Sequence, residues 1–166
     1  MRNLIYTLLL LLTIGACSIK QEPKTIFVVR HAEKMLNGND PMLSIAGTAR
    51  AKKLDQILAD KAIKHAFSTN TVRTLATIQP TANRHGIAKE IYDPQFHDDL
   101  VKELRTRKGN IVIVGHSNTV HHILNYFVGD GEKFEELKDE EYDFIFEITL
   151  AEDGSSSVER RLYKEY

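Results

Sequence analysis

Two short apolar runs constrain the fold of this chain more than any other feature. Residues 26–29 have the sequence IFVV and residues 111–114 the sequence IVIV, and neither run contains a polar side chain. β-branched residues favour extended backbone, and a strand without polar alternation is buried on both faces. We therefore predict two central strands, ending near residues 30 and 115, in a sheet that helices cover on both sides.

The segments around these runs alternate between helical and extended patterns. Helices are predicted at about residues 44–60, 71–85, 98–104 and 118–128, and shorter strands at 66–68 and 90–92. Residues 143–150 and 157–163 flank the turn EDGS, which predicts an antiparallel hairpin. Strands that alternate with helices form mainly parallel sheets. The predicted fold class is α/β, a three-layer α/β/α fold with a mainly parallel sheet and an antiparallel C-terminal edge hairpin.

The N-terminal segment differs from the rest of the chain. Arg2 precedes a run at residues 4–14 that is almost wholly apolar. As a helix this run would be about 16 Å long, too short for a hydrocarbon core of about 30 Å, and it is typical of a secretory signal peptide. The small residues that follow lead into Cys17, the single cysteine. This pattern resembles the lipobox of bacterial lipoproteins, in which the cysteine is lipidated; an ordinary signal peptide or a signal anchor is the alternative.

This interpretation divides the chain into a lipoprotein signal peptide at 1–16, a lipidated tether at 17–24 and one globular domain at 25–166. It places the protein in the cell envelope, attached to the membrane only through the lipid on Cys17. Ser18 stands where an aspartate would resemble a signal for inner-membrane retention, so the outer membrane is favoured. A formal charge of −1 indicates no nucleic-acid partner. One cysteine cannot form an intramolecular disulfide.

Cationic and titratable side chains follow both central strands. Arg30 and His31 come directly after the first, and His116 follows the second. Arg73 lies near the start of the second helix. Ligand crevices in open α/β sheets lie beyond the carboxyl ends of the strands, guanidinium groups match phosphate oxygens bidentately, and helix N-termini add N–H donors. We therefore expect these four side chains to meet in one cleft that binds a phosphate dianion.

A second Arg-His pair in the chain serves as an internal control. Arg84 and His85 precede Gly86 at the end of the second predicted helix and do not follow a strand. Cations near a helix C-terminus, with a glycine directly after them, are typical of an ordinary helix end. We expect His85 to lie outside the cleft.

Three motifs, in this order along the chain, resemble the histidine phosphatase superfamily in its phosphoglycerate-mutase-like branch. They are VVRHAEK around His31, FSTNTVRTLAT around Arg73 and VIVGHSNT around His116. The resemblance covers about residues 25–163 and is to short bacterial members that lack a large cap insertion. It implies that residues 25–166 form a metal-independent phosphatase domain that uses no cofactor.

The resemblance also implies a covalent mechanism. His31 would attack phosphorus, while Arg30, Arg73 and His116 would bind the phosphoryl oxygens, and water would then hydrolyse phospho-His31. A neutral imidazole is a competent nucleophile, and neighbouring arginines disfavour its protonation. The expected substrate is a small phosphomonoester or a phosphohistidine protein. A mutase reaction is not expected, because the chain is short and a mutase must retain the phosphoryl group.

Two positions depart from the family pattern. Ala32 replaces the usual glycine, which is tolerated unless the backbone there needs a positive φ. Ser117 stands where the acid-phosphatase branch has an aspartate, so the acid that protonates the leaving oxygen has to come from elsewhere. We assign this role to Asp98, which could instead be a helix N-cap. Glu33, Asp99 or the lack of a dedicated acid are the alternatives.

The other histidines are expected to have no catalytic part. His116, His121 and His122 match no standard zinc spacing and no cysteine is available to them, so His121 and His122 are placed on a helix surface. His65 and His97 are placed in loops or on the surface. A catalytically idle anion-binding module on the same fold is the alternative to a phosphatase. A metal-dependent hydrolase is a further alternative, and it would lose activity to chelators.

Overall fold

The structure, a computed structural model, describes residues 21–166. In this part of the chain, six strands form one sheet and four α-helices cover it. The strands are β1 (Lys24–Arg30), β2 (Ile63–Ser68), β3 (Lys89–Ile91), β4 (Asn110–Gly115), β5 (Phe144–Leu150) and β6 (Ser156–Leu162). The helices are α1 (Ile45–Ile57), α2 (Val72–His85), α3 (His97–Thr106) and α4 (Ser117–Asn125), and a 3₁₀ turn follows at Tyr163–Glu165.

The sheet is mainly parallel, with one antiparallel edge. Its strand order is β3-β2-β4-β1-β5-β6. The first four of these strands are mutually parallel, whereas β5 pairs antiparallel with β1 and β6 pairs antiparallel with β5. The predicted fold class is confirmed, including the C-terminal edge hairpin.

The alternation of side chains along β1 explains the three layers. Ile26 and Val28 pack into a core cluster that includes residues of α3 and α4. Phe27 and Val29 point to the other face and pack into a cluster that includes residues of α1 and α2. Successive side chains of a strand point to opposite faces, so an uninterrupted apolar strand fills two cores at once.

The connections around β1 and β4 position the functional side chains. The chain leaves β1 through α1 on one face of the sheet and leaves β4 through α4 on the other. The carboxyl ends of these adjacent strands are therefore a topological switch point. Arg30 is the register partner of Gly115, which brings the residues after the two strands side by side.

Gly115 is required at this point because neighbouring side chains leave no room for a Cβ atom. A Cβ there would lie 2.7 Å from the Tyr92 hydroxyl oxygen and 3.2 Å from Thr119 Oγ1. The close packing presses the end of β4 against the start of α4. It therefore fixes the backbone that carries His116.

Some predicted boundaries differ from those in the structure. β1 begins at Lys24, so the last residue of the predicted tether is already in the sheet, where its Nζ donates to the Arg105 carbonyl. α3 begins at His97 after Phe96, so Asp98 lies in its first turn and does not cap it. α2 continues through Pro80 to His85.

The predictions for the signal peptide, Cys17 and Ser18 lie outside the described residues. Within residues 21–166, none of the helices combines the length and the apolar character that crossing a bilayer requires.

Candidate active site

His31 is buried at the end of β1 in a defined tautomer. His31 is 3% exposed, and its Nδ1 lies 2.8 Å from the Ala32 carbonyl oxygen. A carbonyl only accepts hydrogen bonds, so Nδ1 carries the proton. The backbone N–H of His31 donates to the Gly115 carbonyl at 2.9 Å. The ring is therefore held with the lone pair of Nε2 available for reaction.

The surroundings of His31 keep its ring neutral. Burial lowers the pKa of His31 to about 3, and the positive charges of Arg30 and Arg73 act in the same direction, although the Ala32 carbonyl opposes them. An uncharged imidazole is the nucleophilic form. His31 is thus in its reactive protonation state at neutral pH.

Ala32 adopts the backbone that the family pattern fills with glycine, without strain. Its φ is not positive, since Ala62 is the only non-glycine residue with positive φ among residues 21–166. Its N–H donates to Thr77 Oγ1 at 2.9 Å. The expectation that alanine is tolerated here is confirmed.

His116 faces His31 across the switch point. The two ring centroids are 5.5 Å apart in an edge-on arrangement. The Thr69 hydroxyl donates to Thr74 Oγ1 and so accepts from His116 Nε2 at 2.8 Å. Nδ1 of His116 is then the unprotonated nitrogen and accepts from Arg73 Nη2 at 3.4 Å. Burial, followed by the charges of Arg73 and Arg30, lowers the pKa of His116 to about 4.

Arg30 is 5% exposed, and both of its terminal nitrogens are in contact with other groups of the protein. Its Nη1 donates to the carbonyl oxygens of Lys138 at 2.8 Å and Asp139 at 3.0 Å. Its Nε is buried and has no hydrogen-bond partner among residues 21–166. A buried guanidinium N–H without an acceptor is costly, and an oxyanion beside His31 would satisfy it.

Arg73 reaches the same place from the start of α2. Its Nη1 donates to Asp40 Oδ1 at 3.2 Å, and its Nε is likewise buried without a hydrogen-bond partner in the described part of the chain. The expectation that Arg30, His31, Arg73 and His116 converge is confirmed. Their catalytic roles stay a prediction.

Asp40 is a site residue that the sequence analysis missed. Its carboxylate accepts from the backbone N–H of Val72 at 3.0 Å and pairs with Arg73, and its charge acts on His116. Asp40 therefore orients Arg73 and holds the start of α2. It lies 33 positions before Arg73 in a loop without a helix or strand pattern, and no local signal marks it.

A cleft of about 510 Å³ opens beside His116. It lies between the loop after β2 and the loop after β3, and Asp93 contributes the carboxyl group in its wall. Asp93 Oδ1 accepts from the Gln95 N–H at 2.9 Å. The cleft offers space for the group attached to a phosphate bound between the histidines. Asp93 belongs to the same DPQFHDD segment as Asp98. The structure shows that Asp93, and not Asp98, lines this cleft.

The carboxyl groups suggested by the sequence do not join the cluster. Asp98 Oδ1 accepts from the Tyr126 hydroxyl, and no hydrogen bond or ion pair of the described residues links it to the four clustered side chains. Glu33 accepts from Arg50 at 2.6 and 2.9 Å, and this pairing lowers its pKa. It is therefore ionised and unsuited to donate a proton. Asp99 pairs with Lys102 at 3.3 Å.

The remaining histidines lie elsewhere. His85 Nε2 bonds to the Leu58 carbonyl at 3.0 Å. His65, predicted in a loop or on the surface, lies in β2 and is half-buried against Glu90. The rings of His97, His121 and His122 stack beside one another, with His122 exposed. Within residues 21–166, no three His, Cys, Asp or Glu side chains are arranged to hold a metal ion.

Residues 26–102 match the model of the histidine phosphatase superfamily, branch 1. This segment contains Arg30, His31 and Arg73. A comparison with curated proteins gives no match.

Solved structures share the fold at low sequence identity. The protein histidine phosphatase SixA, solved with tungstate, has a TM-score of 0.68 at 13% identity, over 85% of this chain and 98% of that one. Phosphoglycerate mutase from Bacillus anthracis strain Sterne has a TM-score of 0.67 at 15% sequence identity, over 86% of this chain and 94% of that one. A mycobacterial glucosyl-3-phosphoglycerate phosphatase has a TM-score of 0.60 at 12% sequence identity, over 85% of this chain and 98% of that one. At these identities the likeness concerns the fold.

Proposed function

Because the chain belongs to the histidine phosphatase superfamily, we propose that it is a phosphatase that acts through a phosphohistidine on His31. The observation that carries this proposal is the pairing of a neutral, buried His31 with two guanidinium groups whose Nε atoms lack partners among residues 21–166. Such a site holds the nucleophile and the charge that a phosphoryl group requires. The substrate is a small phosphomonoester or the phosphohistidine of a protein.

The first step forms a bond between His31 Nε2 and phosphorus and breaks the bond from phosphorus to the leaving group. Arg30 and Arg73 stabilise the equatorial oxygens through charge-assisted hydrogen bonds. The phosphorylated ring carries positive charge, and the Ala32 carbonyl that accepts from Nδ1 stabilises it. A bound dianion also favours the protonated form of His116, which then donates from Nδ1.

The second step is hydrolysis. A water attacks phosphorus in line with Nε2, the P–N bond breaks, and inorganic phosphate leaves with His31 neutral again. The leaving oxygen of an alkyl phosphate needs a proton in the first step. We propose Asp93 for this role in place of Asp98, because Asp93 lines the cleft beside His116. The same carboxylate then takes the proton from the attacking water. A phosphohistidine substrate depends on this acid less.

The central experiment is turnover by the purified domain from residue 21 onwards. We expect it to hydrolyse p-nitrophenyl phosphate, to be inhibited by vanadate and to keep its activity in EDTA. Vanadate binding without turnover would favour the idle anion-binding module. Loss of activity in EDTA that a divalent metal restores would favour the metal-dependent hydrolase. A panel of phosphorylated metabolites and a phosphohistidine peptide would then identify the substrate class.

The assignment of the acid has its own test, in which Asp98 supplies the matched control. Asp93→Asn should slow hydrolysis of an alkyl phosphate by about 10²–10⁴ while largely sparing p-nitrophenyl phosphate, whose leaving group needs no proton. Asp98→Asn should affect neither substrate. If both variants match the wild type on both substrates, the enzyme has no dedicated acid at these positions, and a phosphohistidine substrate is favoured.

We also propose that lipid on Cys17 anchors the protein in the cell envelope. The domain starts at the amino-terminal end of β1, the end opposite to His31, where the Gln21 N–H donates to the Glu152 carbonyl at 3.2 Å. The seven residues of β1, a strand about 20 Å long, separate this end from the cleft. The site would then face away from the membrane. Cys17→Ser should release the protein from membranes, and recovery of the wild type wholly in the cytoplasm would contradict the proposal.

A further inference from the structure

The segment Lys138–Tyr142 encloses Arg30, although the sequence analysis gave it no role. Three of its carbonyl oxygens accept from Arg30 Nη1, those of Lys138 at 2.8 Å, Asp139 at 3.0 Å and Glu141 at 3.4 Å. We call this segment the carbonyl turn. It lies between α4 and β5, more than 100 positions from Arg30.

The carbonyl turn is anchored at both ends by contacts with other elements. The buried Leu137, just before it, donates its N–H to the Ser117 carbonyl at 3.2 Å. The carboxylate of Asp143, just after it, pairs with Arg50 at 2.6 Å, and the backbone carbonyl of Asp143 accepts from the Tyr163 N–H at 3.0 Å. The carbonyl turn that binds Arg30 Nη1 is thus tied to α4, α1 and the C-terminal 3₁₀ turn.

These contacts leave Nε as the guanidinium nitrogen of Arg30 that is available to a ligand, since Nη2 already lies 3.7 Å from Asp139 Oδ1 and 3.3 Å from the Tyr142 hydroxyl. Nη1 is occupied by the carbonyl oxygens, whereas Nε has no partner among residues 21–166. Nε and Nη2 form one fork of the guanidinium plane, the geometry in which Arg50 and Arg84 hold carboxylates elsewhere in this chain. A phosphoryl group bound by Arg30 would accept from Nε at this fork.

Tyr142 places a hydroxyl group beside that fork. Its Oη accepts from Arg30 Nη2 at 3.3 Å. The Arg30 Cζ lies 4.1 Å from the Tyr142 ring centroid, within the range of a cation–π contact. The ring is also 6.0 Å from the ring of His31. The Tyr142 hydroxyl has no hydrogen-bond acceptor among residues 21–166, so its proton is available for donation to a ligand.

We propose that Tyr142 is a phosphoryl-contacting residue, whose O–H donates a hydrogen bond to an oxygen of the group held by Arg30 and His31. This inference rests on the proposed phosphatase function and adds a donor to it. The carbonyl turn positions Arg30 through Nη1, and Tyr142 completes the oxyanion site next to Nη2. No proton is transferred, since the phenol keeps its hydrogen and only donates it.

Tyr142→Phe tests this role, because it keeps the ring over Arg30 and removes only the hydroxyl. Tyr126→Phe is the matched control, since Tyr126 is exposed and bonds to Asp98, outside the cluster. We expect Tyr142→Phe to lower kcat/KM and to weaken vanadate inhibition, each by about 10- to 100-fold, as for the loss of a hydrogen bond to a charged group. Tyr126→Phe should keep both the melting temperature and the activity of the wild type.

The result distinguishes failure of this inference from failure of the proposed function. If the wild type is active and Tyr142→Phe retains kcat/KM and vanadate affinity within twofold, or loses no more than Tyr126→Phe, the inference is wrong and the phosphatase stands. If the wild type binds vanadate without turnover, a loss of vanadate affinity in Tyr142→Phe still supports the contact. If the wild type neither turns over phosphate esters nor binds vanadate, both are wrong.

Discussion

The pairs Arg30-His31 and Arg84-His85 have the same two residues in different surroundings. The first follows a central parallel strand, is almost fully buried and leaves Arg30 Nε without a partner in the described chain. In the second, at the end of α2, Arg84 forms a bidentate ion pair with Asp55 at 2.6 and 2.7 Å. His85 there bonds to the Leu58 carbonyl. The protein satisfies the hydrogen bonds of the second pair, whereas in the first pair the Arg30 Nε–H has no acceptor among residues 21–166.

The comparison shows that the chemical role open to an Arg-His pair depends on the secondary-structure element that carries it. A strand end at a switch point lacks the local partners that a helix end has, so its side chains can face a ligand. A helix C-terminus offers carbonyl groups and a favourable dipole for cations.

Replacing the two histidines should separate the pairs most strongly. His31→Ala should reduce turnover of p-nitrophenyl phosphate by at least about 10⁴-fold, since it removes the nucleophile. His85→Ala should keep kcat/KM within about threefold. Phosphate trapped from the wild type by acid-free quenching should map to His31. Full activity in His31→Ala, or phosphate found on another residue, would contradict the assignment.

The two arginines should differ in the same direction with a smaller effect. Arg30→Ala should lower kcat by about 10²–10³-fold, as for the loss of one preorganised donor, and Arg30→Lys should not restore it fully because it lacks the fork. Arg84→Ala should leave kcat unchanged. Circular dichroism of each variant separates loss of catalysis from loss of structure. Equal kcat values for the two alanine variants would show that Arg30 does not contact phosphate.

The depressed pKa values of His31 and His116 predict how stability depends on pH. The native pKa values of about 3 and about 4 lie below the usual value near 6.5. The unfolded chain therefore binds more protons in this interval, and the free energy of unfolding falls as pH decreases from about 7 towards 3. Denaturation at several pH values should show a loss of a few kcal/mol, and His31→Ala should flatten the slope. An unchanged slope in that variant would contradict the depressed pKa of His31.

The residue after each pair should give the smallest effect, on stability alone. Gly86 has φ of 64° and ends α2 in the left-handed region, so Gly86→Ala should destabilise the fold by about 1 kcal/mol without changing kcat/KM. Ala32→Gly should leave kcat/KM within about twofold, because φ at Ala32 is not positive. Thermal denaturation and kinetics on both variants check this. A large loss of activity in Gly86→Ala would mean that the second pair is coupled to the cleft.

Local patterns in the sequence were sufficient for the fold and for the cluster at its centre. The apolar runs of β1 and β4 identified two strands that fill both cores, and parallel strands bring their carboxyl ends to one edge. Arg30, His31 and His116 follow these ends directly, and Arg73 lies in the first turn of α2. Each of these positions depends only on the element that precedes or contains it, which a periodic pattern reveals.

The tertiary structure alone decided which other groups surround that cluster. Asp40 reaches Arg73 from a loop, Tyr142 reaches Arg30 across 112 positions, and Asp93 lines the cleft whereas Asp98 bonds to Tyr126. These residues lie in loops or turns, where no periodicity predicts the direction of a side chain. Their places follow from how the connections pack against the sheet. The sequence by itself therefore determined the strand-end residues of the site, and the three-dimensional packing of the loops determined their partners.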